Sequence, residues 1–140
     1  MLGLINADHE ESSPNASLLL INKLSCSLVG QERAVRFRPG SQAHRIYGKD
    51  SAVEVFACNY GLNENFRNDI AKGDLQITGW DEDGTARIVE LPGHRFFIAT
   101  LFVPQVLSAP ASPHPLITAF LREAYAFSRA RAGSAFLQLP

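Results

Sequence analysis

The segment from Phe96 to Val103 is eight residues with hardly a polar atom, and Pro104 closes it. A strand with one wet face alternates, so an unbroken apolar run of this length reads as a strand covered on both faces, and a proline after it cannot donate to a ladder. The run is therefore the candidate central strand of a sheet. Upstream, Leu75-Gln76-Ile77-Thr78 and Arg87-Ile88-Val89-Glu90-Leu91 alternate, with the turn residues Asp81-Glu82-Asp83-Gly84 between them. That pairing predicts an antiparallel hairpin.

Earlier still, Leu18 to Ile21 is a short apolar run, and Ala34 to Arg38 alternates like a half-exposed strand before Pro39-Gly40. Ala52 to Tyr60 carries the β-branched and aromatic residues of another strand. Helical signals fall between these strands. Ser41 to Tyr47 suits a turn or two; Asn63 supplies an N-cap, Phe66 and Ile70 share a face, and Gly73 stops that helix. Beyond a proline-rich connector at 110–115, Leu116, Ile117, Phe120, Leu121, Ala124 and Phe127 repeat at helical spacing, so the Phe120 to Phe127 stripe is expected in the core. Arg122, Arg129 and Arg131 lie on the other face and at the end, where positive charge suits the helix dipole. The class is α/β.

A chain of 140 residues suits one domain, and 46% apolar with 19% charged residues is a globular composition. A formal net charge of -1 gives no footprint for nucleic acid or an acidic membrane face. The opening MLGLINADHEESSP has neither the basic lead nor the apolar length of a signal peptide, and no window is long enough to span a bilayer, so a cytoplasmic protein is expected. Cys26 and Cys58 lack zinc or disulfide spacing and are expected as buried small hydrophobes. Asn15-Ala16-Ser17 fits a glycosylation pattern by chance. No phosphate-cradling glycine loop is present, and neither metal nor cofactor is expected.

Six further side chains have structural readings. His94 suits a hydrogen bond at a strand start. His9, Glu10 and Glu11 are adjacent and do not converge on one ion, so they read as a solvated loop. His114 shapes the entry to the last helix, and Trp80 packs against the sheet edge.

The ordered set of elements has a counterpart. Gly93-His94-Arg95-Phe96-Phe97-Ile98-Ala99-Thr100-Leu101-Phe102-Val103-Pro104-Gln105, followed by Ser112-Pro113-His114-Pro115-Leu116, resembles the C-terminal end of the class I glutamine amidotransferase domain of the CTP synthase family. Pro39-Gly40-Ser41, Tyr47-Gly48, Tyr60 with Asn63, Gly79 before the acidic hairpin, and the acidic stretch Ala7-Asp8-His9-Glu10-Glu11 extend the resemblance upstream. It implies a partial flavodoxin-like αβα sheet with an antiparallel hairpin over residues 1–132 and a tail at 133–140, without the N-terminal strands. The family's cysteine elbow would precede Met1, as in a truncated product or a mis-assigned start. An unpaired edge and a bare flank would then lie beside Phe96 to Val103.

The family's chemistry needs a cysteine nucleophile, a histidine to take its proton and a glutamate to orient the imidazole. The resemblance puts Val103 at the histidine position and Gln105 at the glutamate position. Neither cysteine of this chain has the elbow's surroundings, so no residue is assigned a catalytic role. An isopropyl group accepts no proton, and a neutral amide brings no charge to an imidazolium. Asn59 replaces an arginine that helps hold the glutamine carboxylate, whereas Glu11 matches a glutamine-contacting glutamate and is the one substrate-binding candidate. Two functions follow: a catalytically degenerate amidotransferase domain, or a non-enzymatic binding or regulatory module for glutamine or another small metabolite. The partners implied are a synthetase, or a second copy through an exposed sheet edge.

Overall fold

The computed structural model describes residues 6–136, so residues 1–5 and 137–140 lie outside it. In chain order the elements are β1 (Ala7–His9), β2 (Leu18–Lys23), β3 (Gln31–Phe37), α1 (Gln42–Tyr47), β4 (Ser51–Phe56), β5 (Tyr60–Leu62), α2 (Arg67–Lys72), β6 (Gln76–Trp80), β7 (Ala86–Glu90), β8 (Ile98–Thr100) and α3 (Pro115–Phe136). Five strands form one sheet in the order β4-β3-β6-β7-β8, and three form a second in the order β1-β2-β5. Every pairing is antiparallel except β1 with β2.

The alternation of β7 builds a core on each face of the larger sheet. Ile88 joins Val35, Phe37, Ala43, Phe56, Phe102 and Leu116. Val89 packs instead against Leu62, Ile70, Ile77 and Ala86. Helices α1 and α3 contribute to the first core, while α2 and the small sheet cover the second. Among the described residues no helix is long and apolar enough to cross a membrane.

Local chemistry fixes the connections. Ser41 Oγ accepts from His44 N–H at 3.1 Å, and the buried carboxylate of Glu90 accepts from the N–H groups of Gln42 (2.9 Å) and Ala43 (2.8 Å). Helix α1 thus begins with its orphan donors satisfied. In the expected β6–β7 hairpin, Asp81 accepts from Thr85 N–H at 2.9 Å and receives two guanidinium bonds from Arg87, at 2.9 and 2.7 Å. Both side chains of that ion pair are buried. Opposite, the chain passes so close to Ile88 that a Cβ on Gly79 would lie 2.6 Å from Ile88 Cγ1.

Three sequence expectations change. Phe96 to Val103 is not a central strand covered on both faces: β8 keeps only Ile98–Thr100, stands at the end of its sheet, and pairs with β7 alone. With no described neighbour on its outer side, Ala99 is exposed and Phe97 is 41% exposed. The stripe on α3 is not core either. Leu116 is buried, but Phe120, Leu121, Tyr125 and Phe127 are exposed, because beyond the first turns the helix meets the sheet side through little more than Phe96 against Phe120 and Arg95 against Phe127. Nor are the cysteines buried hydrophobes: Cys26 is exposed and Cys58 half-buried. Helix α3 runs as far as Phe136.

The Gly79 contact yields a stability test. Gly79→Ala should cost about 1–3 kcal/mol in urea denaturation, because Ile88 is fully enclosed and has nowhere to retreat. Gly93→Ala, at a position with open space around it, should change stability by less than about 0.5 kcal/mol.

Candidate functional site

The segment that ends β8 is pinned before it turns. Phe102 is buried with its ring edge-on to Phe56, centroids 5.9 Å apart, and its carbonyl accepts from Thr100 Oγ1 at 2.9 Å. Val103 N–H then donates to the Val55 carbonyl on β4 at 2.9 Å. Pro104–Leu107 follow as a single 3-10 turn, which leaves Val103 half-buried and Gln105 exposed.

From Val55 the chain runs through Cys58 and Asn59 into β5, which pairs with β2 so that Tyr60 lies opposite Lys23. The next strand is β1, and the rings of His9 and Tyr60 approach to 5.0 Å. After β1 the chain doubles back: the His9 carbonyl accepts from the N–H groups of Ser12 (3.1 Å) and Ser13 (2.9 Å). Hydrogen bonds from the Ser13 hydroxyl and the His9 N–H hold the Asp8 carboxyl below its ordinary range. Glu10 accepts from Lys23 N–H, and Glu11 presents an exposed side chain whose backbone N–H donates to His9 Nδ1 at 3.1 Å. The acidic turn bearing Glu11 therefore adjoins Tyr60, and the Val103 segment is tied to the strand that leads there.

The chemical reach of this region follows from its atoms. Val103 offers no proton acceptor and Gln105 no charge. The Cys58 thiol is committed to the backbone, donating to the Tyr60 carbonyl at 3.1 Å and accepting from Tyr60 N–H at 3.4 Å. Among the described residues no imidazole is hydrogen-bonded to a sulfur. His94 Nδ1 bonds within its own turn, to the Phe96 backbone. Trp80 is half-buried on an interior strand, with the Arg38 guanidinium 5.5 Å from its ring centroid.

Sequence reasoning missed a buried polar cluster. His114 does more than shape a helix entry: its Nε2 lies 3.1 and 3.2 Å from the two carboxylate oxygens of Glu54, and its Nδ1 accepts from Leu116 N–H at 3.2 Å. Because Nδ1 accepts, Nε2 carries the hydrogen and donates to Glu54. The Tyr47 hydroxyl donates to the same carboxylate. Burial, then the hydrogen bond and charge of Glu54, push the Tyr47 hydroxyl far above its ordinary pKa. A signal was available, since Glu54 shares the buried phase of its strand with Ala52 and Phe56. A charge in an apolar phase needs a buried partner.

No family model matches the chain. It is 34% identical over 140 aligned positions to the CTP synthase of Nostoc punctiforme, a match that takes in 90% of this chain and 25% of that protein. It is also 40% identical over 92 positions to the CTP synthase of Rhodospirillum centenum, covering 65% of this chain and 17% of the relative. The structure superposes on the glutaminase domain of Trypanosoma brucei CTPS, solved with bound acivicin, with a TM-score of 0.81 at 24% identity, over 90% of this chain and 53% of that one. Fold and sequence together place the chain among the class I glutamine amidotransferase domains. Within that class it belongs to the CTP synthase type and corresponds to the C-terminal part of the domain. The chain spans a quarter or less of the length of the curated relatives it matches.

The buried cluster has a pH signature. Folded Tyr47 holds its proton above the ordinary value of 10.0, so the unfolded chain releases that proton first. Its contribution to stability is complete below about pH 10 and is lost as pH rises beyond it. Tyr47→Phe should be less stable than the parent at neutral pH by about 1.5–3 kcal/mol, the worth of a hydrogen bond to a charged group. The gap should narrow in denaturation curves taken at rising alkaline pH.

Proposed function

We propose that this chain is a CTP-synthase-like glutamine amidotransferase domain, or a piece of one, that no longer hydrolyses glutamine. What carries this reading is Val103, an aliphatic side chain where the resemblance puts the family's general base, on a segment held by Phe102 and by the bond to Val55. Gln105 removes the carboxylate that would steady a protonated imidazole, and Asn59 removes a guanidinium from the glutamine side. Framework and chemistry have separated: the apolar residues that position the segment persist, and the proton acceptor does not. The same reading keeps the protein in the cytoplasm and gives it a synthetase as partner.

Glutamate release tests it. The chain should liberate glutamate from glutamine no faster than buffer does. In a longer product carrying the family's cysteine elbow, Val103→His with Gln105→Glu should raise release about 100-fold or more, the usual contribution of a positioned general base. Turnover by the parent protein that survives Val103→Ala would place the chemistry elsewhere and end the proposal.

A second reading, a non-enzymatic module that binds glutamine or a similar metabolite, is favoured by the Glu11 turn lying against Tyr60. Glutamine should then raise the melting temperature, and Glu11→Ala should abolish the rise. Absence of any shift with glutamine counts against this second reading alone.

A further inference from the structure

At the end of β8 away from Val103, where Glu90 of β7 faces Ile98, the surface opens into a cleft of about 460 Å³. Arg38, Arg45 and Arg95 reach it from three places in the chain: just after β3, on α1, and just before β8. Among the described residues none of the three makes an ion pair with a carboxylate. Arg38 donates to Gln76 Oε1 at 3.1 Å, Arg45 donates to the Gly40 carbonyl, and Arg95 lies 5.0 Å from the Phe127 ring centroid. The one carboxylate lining the cleft, Glu90, has both oxygens committed to the backbone N–H groups that begin α1. Three guanidinium groups thus face one space with a single, already engaged anion among them.

The wall of the cleft carries a second and independent anomaly. Thr78 is 1% exposed, and its hydroxyl has no hydrogen-bond partner. A fold rarely leaves a buried hydroxyl unpaired, and such a group in a residue beside a cleft is commonly completed by ordered water or, after a small side-chain rotation, by a ligand. A hydroxyl can donate to an oxyanion that guanidinium groups surround.

We propose that this cleft is an anion site for a phosphate-bearing small molecule, separate from the amidotransferase region and independent of whether glutamine binds there. A phosphate group presents several charged oxygens in directions that planar guanidinium forks match, which a lone carboxylate does so less completely. The volume exceeds what one phosphate fills and lies in the range of metabolite pockets, so the ligand carries an organic portion as well.

Inorganic pyrophosphate is the probe, titrated calorimetrically into the full chain at constant ionic strength. Saturable binding is expected. Arg45→Gln with Arg95→Gln should weaken it about tenfold or more, while Arg129→Gln, on the exposed surface of α3, should leave it unchanged. Thr78→Val should also weaken binding while the melting temperature holds or rises, a combination that mere damage to the fold does not produce. Trp80 is the sole tryptophan and lies under Arg38, so its emission should change in step with occupancy. No saturation, equal affinity in the double arginine variant, or equal weakening by Arg129→Gln would overturn the proposal.

Discussion

Glu54 is a carboxylate with almost no access to water, and the assembly of three elements depends on it. It lies on β4, takes a hydrogen bond from Tyr47 at the end of α1, and takes another from His114 immediately before α3. A buried charge is tolerated only where donors replace its hydration, so Glu54 selects an arrangement in which both helices are in place. Phe37 and Tyr47 stack at 4.4 Å beside it, and Leu116 enters the adjoining core immediately after His114. The polar cluster sets position there, and the apolar cluster supplies the burial that stabilises it.

A second buried pair does similar work at the hairpin. Asp81 engages Thr85 N–H and the Arg87 guanidinium together, and Arg87 spreads over the Phe56 ring at 5.4 Å. Turn and core are thereby one unit. The region around Val103 rests on this support through Phe102 and Phe56, so its position is set by apolar packing.

How far the sequence could be read follows from what each signal depends on. The β6–β7 hairpin, the Asn63 cap and the short helix after Ser41 were legible because neighbouring residues determine them. The placement of Phe96 to Val103 was not, since an apolar run states a need for cover without saying whether the cover is present. The same ambiguity misplaced the α3 stripe: helical spacing identified the helix but not how much of it would meet the sheet. The resemblance singles out Val103, Gln105, Asn59 and Glu11 as counterparts of family site positions, and the structure adds that His9, in the turn bearing Glu11, lies against Tyr60. Glu54, His114 and Tyr47 escaped notice because their partnership joins distant parts of the chain, although Glu54 was out of character on its strand.

The shallow docking of α3 has a mechanical consequence. The helix is held where Leu116 is buried and His114 grips Glu54, while farther along Tyr125 is exposed and Phe120 and Phe127 are covered in part by Phe96 and Arg95. It is a lever with its firm clamp at one end and an arm several turns long that Phe96 and Arg95 touch at Phe120 and Phe127. Any load on the arm acts through leverage on the clamp, so an object resting against those aromatic rings would pull directly on the carboxylate that joins the two helices to the sheet.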